Sequence, residues 1–261
     1  MQPVITPNPD QETSVDVSIH EPALTEDNLG LKTWASSYVL ARKWHELREQ
    51  LPIPRRQGHN DSSKITVLEL GAGTGLVGIA AAAVLGTNVL LTDLPEIVPN
   101  LARNAADNAQ TIAARGGSTA VAILDWMRPE EVQYVAHSTN ASSTEESTDV
   151  GQRAAEKTCL SVPIIVAADP IYSIDHPRWL AQAVQYHLLR EKDARVIVEI
   201  PIRDAYSKER GLFVRCMKDI GLEIVSESRD IGYDDWSESR GEELAEVECW
   251  LTIWAWNERP M

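Results

Sequence analysis

The chain has 261 residues, 43% of them apolar, and carries 39 Asp and Glu against 24 Lys and Arg, a formal net charge of −15. That length suits one substantial α/β domain, and the apolar share is enough to cover both faces of a buried sheet. So acidic a surface repels phosphate backbones and anionic lipid, which excludes nucleic acid and membrane as default partners and favours a basic protein or a small cation.

Residues 1–28 are polar, contain Pro3, Pro7, Pro9 and Pro22, and read as a flexible tail. They lack the basic start and apolar run of a signal peptide, and no stretch of ~18 consecutive apolar residues follows. The expected location is the cytoplasm, with the nucleus open. Helical spacing of Trp34, Tyr38, Ala41, His45 and Leu47 predicts a helix over 34–50, stopped by Pro52 and Pro54. Residues 55–63 read as a loop.

Strands and helices alternate from there. Residues 64–70 are β-branched and apolar, a buried strand ending in glycines, and 75–85 are small and apolar, suited to a helix lying close on a sheet. A second strand covers 88–92. A helix opened by Pro95 extends to 114, and a third strand covers 119–124. Residues 137–158, rich in Ser, Thr, Glu and Ala without apolar period, read as a disordered insertion. Strand 162–168, helix 177–190, strand 195–200, helix 206–220, strand 222–228 and strand 246–256 complete the pattern. Alternation implies a doubly wound, mostly parallel sheet of seven strands covered on both faces, and the last two strands form an antiparallel hairpin at one edge. One domain, 29–261, is expected, and no repeat is visible.

Cys159, Cys216 and Cys249 are too few and too scattered for a disulfide framework or a metal site, and read as reduced, buried thiols. No metal is expected.

The most informative stretch is Leu68-Glu69-Leu70-Gly71-Ala72-Gly73-Thr74-Gly75-Leu76-Val77-Gly78. Glycines between strand and helix let the backbone turn sharply and approach a ligand with no Cβ between. Asp93, at the end of the next strand, is placed to accept hydrogen bonds from both hydroxyls of a ribose, so the stretch reads as a nucleoside-cofactor site. Gly73 to Gly78 fits the dinucleotide pattern G-x-G-x-x-G, which is weak by itself. Glu69 stands against a pyrophosphate by repulsion but suits S-adenosyl-L-methionine, whose charges here are a sulfonium and an ammonium. Asp125-Trp126 follows the third strand, where a carboxylate can meet an adenine amino group and an indole can lie on the ring. Trp126 alone would read equally well as a core aromatic. Asp169-Pro170-Ile171-Tyr172 follows the fourth strand, on the side of the sheet where ligands of such folds sit; an ordinary Asp-Pro turn is its plainer reading.

Together, Thr33-Trp34-Ala35-Ser36-Ser37, Glu69-Leu70-Gly71-Ala72-Gly73-Thr74-Gly75, Thr92-Asp93, Asp125-Trp126 and the D-x-x-Y motif Asp169 to Tyr172 resemble the seven-strand (class I) protein-lysine methyltransferases of family 16, the methyltransferase-like 21 and elongation-factor type. The resemblance extends from about residue 29 to the C-terminus and departs at the Ser/Thr-rich insertion. It implies a class I methyltransferase fold and N-methylation of a lysine on a cytosolic protein such as an elongation factor or chaperone. It further implies that Trp34, Glu69, Gly71, Ala72, Gly73, Gly75, Asp93, Asp125, Trp126 and Ala168 serve the cofactor, while Asp169 and Tyr172 face the substrate. A monomer is expected.

Small-molecule amine N-methylation is the alternative, since the same fold and motifs serve it. Asp-Pro-Ile-Tyr is also one residue from the D-P-P-Y of nucleic-acid amino methyltransferases, which the net charge and Ile171 oppose. A non-catalytic binding protein is disfavoured by the presence of both Asp169 and Tyr172. His176 beside Asp175 reads as part of a helix cap, with a base as the second reading. Trp250, Trp254 and Trp256 read as core, and Asp234-Asp235-Trp236 as a solvated acidic loop.

Overall fold

The computed structural model describes residues 4–5, 14–22, 29–53, 64–135, 156–234 and 245–257. Two short strands, β1 (Val4–Ile5) and β2 (Val15–Asp16), pair antiparallel apart from the main sheet. The expected helix over 34–50 is divided into α1 (Ala35–Arg42), α2 (Trp44–Leu47) and a 3-10 turn, with Lys43 at the break. Lys43 turns its ammonium to Ser228 and Asp230. Next come β3 (Val67–Leu70), α3 (Leu76–Leu85) and β4 (Asn88–Asp93).

The helix expected from Pro95 starts later and is also divided, into α4 (Val98–Asp107) and α5 (Ala109–Ala114). Asn108 sits at the division, its amide donating to Asn104 O at 2.8 Å and to Ser18 O at 2.7 Å. Strands β5 (Ser118–Leu124), β6 (Glu131–Tyr134) and β7 (Glu156–Lys157) follow. Then come β8 (Ile164–Ala168), α6 (His176–His187), β9 (Arg195–Pro201), α7 (Ser207–Asp219), β10 (Leu222–Asp234) and β11 (Ala245–Trp256).

The main sheet has the order β10-β11-β9-β8-β3-β4-β5-β6-β7 among the described residues. Its centre, β9-β8-β3-β4-β5, is parallel, and the β10–β11 hairpin closes one edge antiparallel as the sequence implied. The two strands beyond the expected seven, β6 and β7, are short and run antiparallel at the other edge. In β6 only Val132 is buried, too little for a periodic signal. The chain leaves β3 toward β4 and β5, then returns to β8 on its other side. The strand order therefore reverses between β3 and β8, where an open α/β sheet has its ligand crevice beyond the carboxyl ends.

Strand side chains alternate between faces. Val67, Val89, Leu91, Val166 and Ile197 pack with α1, α2 and α3, whereas Leu68, Leu70, Leu90, Val196 and Val198 pack with α6 and α7. Helix α3 is buried on every side, which its small residues permit. Within α3, Gly78 is packed closely on the sheet: a Cβ there would lie 2.2 Å from Leu91 Cδ2 and 2.3 Å from Glu69 Oε2.

The reading of 1–28 as a flexible tail is corrected for residues 14–22. Val15 and Val17 are buried in the core, and Ser18 and His20 donate backbone N–H groups to Asn108 Oδ1 and Asn104 Oδ1, both at 2.9 Å. The two Asn amides donate back to Ser18 O and His20 O, so one helix face imitates a strand ladder. Of the expected insertion 137–158, residues 137–155 lie outside the described residues, and 156–157 form β7. Cys249 is buried, but Cys216 is only partly so and Cys159 is exposed. No helix among the described residues is long and apolar enough to cross a membrane.

Candidate active site

The glycine turn joins β3 to α3 at the reversal point. Gly71, Gly73 and Gly75 all have positive φ, at 69°, 57° and 86°, a conformation costly for any residue with a Cβ. A Cβ on Gly71 would be 2.9 Å from Trp126 Cζ2, and one on Gly73 would be 2.9 Å from Gly30 O. The turn is thus pressed between an indole and a backbone carbonyl. Asp93 fixes it from β4: its carboxylate accepts from Gly73 N–H and Leu94 N–H, both at 2.7 Å. Burial pushes the Asp93 carboxyl up to about 6, against the pull of these two donors.

A cavity of about 490 Å³ opens over this turn, within the range of small-molecule sites. Gly71, Ala72, Gly73 and Asp93 line one side, Asp125 and Trp126 come from the end of β5, and Ala168, Asp169 and Tyr172 from the end of β8. Trp34, at the N-cap of α1, completes the wall. Ten of the twelve residues picked from sequence therefore meet around one cavity.

Glu69 and Gly75 do not line it. Glu69 points to the α3 face, where its Oε2 accepts from Gly78 N–H at 2.9 Å. Burial raises its carboxyl to about 8, so at neutral pH it is largely uncharged and supplies no field against a pyrophosphate. Its work is to fasten α3 to β3. Gly75 caps α3 at a place where a Cβ would be 2.7 Å from Leu101 Cδ1.

The state of Glu69 has a consequence for stability. Its folded pKa lies above its unfolded one, so the folded state holds the proton as pH rises from about 4.5 to about 8. Over that window the unfolded chain gains its charge freely, and stability falls. A Glu69→Gln variant keeps the acceptor for Gly78 N–H and loses the titration. Its stability in denaturant melts at pH 8 relative to pH 5 is expected to exceed that of wild type by about 2–4 kcal/mol. Equal pH slopes would contradict this.

The D-x-x-Y segment has its own geometry. Asp169 has φ +50°. Right-handed helical conformation is disfavoured before proline, and Asp is among the few residues that tolerate the left-handed region. Asp169 N–H donates to Glu199 O at 2.9 Å, so the strand pairing ends with the carboxylate turned into the cavity. Burial raises that carboxyl to about 6 although Arg203 pulls the other way. Ile171 is buried in the core under α6 and α7, which anchors the motif. Tyr172 is half exposed at the mouth, and burial and nearby carboxylates raise its phenol above the usual value, so it stays protonated.

Beyond those twelve, the site holds residues that no motif marked, together with His176, whose second reading from sequence was a base. His176 lines the cavity, its ring 4.2 Å from that of Tyr172 and 5.9 Å from that of Trp126. Asp175 does occupy the N-cap position of α6, but without a side-chain bond to the helix. Burial lowers the His176 pKa, which keeps the ring neutral at pH 7. Lys32, Glu96 and Arg203 also line the cavity. Asp234, read as part of a solvated loop, is instead buried and paired with Arg203, while 235–236 lie outside the described residues. Of the three C-terminal tryptophans, Trp254 is fully buried, Trp256 packs at the core edge, and Trp250 reaches outward to Glu227. Among the described residues no group of three or more His, Cys, Asp or Glu is arranged to hold a metal.

Comparison with known proteins bears on this arrangement. The chain is 35% identical over 233 residues to the protein-lysine N-methyltransferase EFM2 of Saccharomyces cerevisiae, covering 85% of this chain and 49% of that protein. It is 34% identical over 248 residues to the protein-lysine N-methyltransferase rrg1 of Schizosaccharomyces pombe, covering 93% of this chain and 68% of that one. The chain thus spans about half the length of the first relative and about two thirds of the second. A solved structure of geranyl diphosphate methyltransferase is similar at 10% identity, with a TM-score of 0.48 over 83% of this chain and 85% of that one. Residues 11–141 match the lysine methyltransferase family model. With half of its length so matched, and with a relative 34% identical of which it covers 68%, the chain belongs to the lysine methyltransferase family.

Proposed function

We propose that this chain transfers a methyl group from S-adenosyl-L-methionine to the side-chain nitrogen of a lysine on a protein. The observation that carries the reading is the position of Asp169, a buried carboxylate lining a cavity that the positive-φ glycines Gly71 and Gly73 also line. The cradle fits the cofactor on grounds of its own. Gly71 and Gly73 take the positive φ that the turn requires and line the cavity, and Asp93 is an acceptor placed beside them. Gly71, Ala72, Gly73, Asp93, Asp125, Trp126, Trp34 and Ala168 would hold it, Asp93 toward the ribose and Asp125 with Trp126 toward the base. When bound, that cofactor supplies a methyl group on a positively charged sulfur. Glu69 and Gly75 contribute by shaping the turn from behind.

A lysine must be neutral to attack. At pH 7 losing its proton costs about 4–5 kcal/mol from the ordinary pKa of about 10.4. Asp169 is largely ionised at that pH, with its carboxyl at about 6, so it attracts the ammonium and then orients the nitrogen. Its low basicity suits it to positioning, with solvent taking the proton. Tyr172 at the mouth lines the entry with an aromatic face and a hydroxyl. Asp93, Glu96, Asp125 and Asp169 outnumber Lys32 and Arg203 around the cavity, which favours a cationic substrate.

The test adds wild type or Asp169→Asn, with tritiated S-adenosylmethionine, to a lysate lacking this protein. The expected result is a discrete protein band labelled by wild type alone, yielding methyl-lysine on hydrolysis. Label confined to small molecules would replace this reading with a metabolite enzyme, and label nowhere would leave a binding protein.

A further inference from the structure

Arg203 lies just beyond β9 and spans two carboxylates. One guanidinium nitrogen, Nη1, is 3.3 Å from Asp169 Oδ2, and the other, Nη2, is 2.9 Å from Asp234 Oδ2. Both acids are buried, with side chains 6% and 7% exposed, while the Arg203 side chain is 25% exposed and lines the cavity. Its planar head also lies 5.5 Å from the Trp34 ring, within cation–π range. Asp234 is tied down in turn, since its Oδ1 accepts from Ala35 N–H, at the start of α1, at 3.4 Å. A chain of contacts therefore runs from the α1 terminus, which carries Trp34, through β10 and Arg203 to the carboxylate that faces the substrate.

This arrangement exceeds what packing requires. A guanidinium is weakly hydrated and always charged, and its fork can hold two carboxylates in fixed directions at once. Asp234 supplies the second carboxylate, so the guanidinium is held from both sides. We propose that Arg203, anchored by Asp234, is a positioning residue that holds the Asp169 carboxylate charged and turned into the cavity to receive an amine. The catalytic use of Asp169 rests on the function proposed above; the electrostatic hold does not.

The groups that face Asp169 are Arg203 beyond β9, Asp234 on β10, Cys249 on β11 and Tyr172 beyond β8. Cys249 is held as the thiol, pushed up to about 12 by burial and the surrounding acids. Tyr172 is protonated, and Asp234 carries the like charge that opposes ionisation of Asp169. Arg203 is the cation of this set, and the ionisation of Asp169 depends on it.

The experiment is a carbon-detected NMR titration of the full chain labelled at Asp carboxyls, with the Asp169 signal identified by its loss in Asp169→Asn. Wild type is expected to titrate near 6. Arg203→Gln, which removes the charge and the fork and leaves a shorter amide donor, is expected to raise the midpoint by about one unit or more, and Arg203→Lys, which keeps the charge without the fork, to restore part of the difference. A midpoint unmoved in a folded Arg203→Gln protein would overturn the proposal, as would an Arg203→Lys midpoint no lower than that of Arg203→Gln. In transfer assays the acid limb of kcat/KM is expected to move with the midpoint. The NMR midpoint is read without turnover, so a shift in a protein that methylates nothing would uphold the Arg203 contact and reject the methyltransferase reading alone.

Discussion

Asp169→Asn is expected to reduce kcat/KM for the protein substrate by about 10³-fold, some 4 kcal/mol of transition-state stabilisation, with cofactor affinity changed less than about threefold. Asparagine is the informative replacement because position 169 has φ +50°. Asn tolerates the left-handed region nearly as well as Asp, whereas Ala would add backbone strain of about 1 kcal/mol or more and confuse folding with chemistry. The amide still accepts one bond but offers no charge to an ammonium, and Arg203 remains held by Asp234 at 2.9 Å. The division of labour is what the experiment measures. Asp169 stands at the end of β8 and Asp93 at the end of β4, with β3 between them, so kinetics should fail while calorimetric titration with the cofactor stays near wild type. A parallel loss of cofactor affinity would place Asp169 on the cofactor side and remove its assigned role.

The contrast between what sequence disclosed and what it concealed follows from the range of the interactions. The central strands were legible because they are short apolar runs between breakers, and the glycine turn because three glycines within five residues have few other uses. Asp169 and Tyr172 were legible because they share a four-residue motif at a strand end. Arg203 and Asp234 were not, because they are separated by 31 residues and meet only when β9 and β10 take their places in the sheet. Residues 14–22 were misread for a related reason. Their polar composition hides two buried valines and a ladder to Asn104 and Asn108, more than 80 positions away. Glu69 shows the opposite failure. Its motif was recognised, but the alternation of strand side chains turns it to the α3 face, behind the turn rather than into the cavity.

Asp93→Asn is the second large effect expected, and it falls on the cofactor. The Asp93 carboxylate accepts from Gly73 N–H and Leu94 N–H, both at 2.7 Å. Ribose hydroxyls would add further donors to the same group. An aspartate can accept from all of these, but an asparagine has one accepting oxygen and an NH₂ that must face one of the two backbone donors. The unmatched backbone donor loosens the turn, and the loss that falls directly on the ligand is that of charge-assisted bonds to the ribose hydroxyls, about 1.5–3 kcal/mol. The expected outcome is a fall of about 30- to 300-fold in calorimetric affinity for S-adenosylmethionine, with kcat at saturating cofactor reduced far less. Wild-type affinity should also weaken as pH falls through about 6, where burial has placed the Asp93 carboxyl. Protonation then supplies the same mismatch that the amide builds in, so Asp93→Asn should bind weakly at every pH between 5 and 8 and lack that step. A pH step retained in the variant would transfer the titration to another group, with Asp169 the next to be examined, since its carboxyl lies at about the same value.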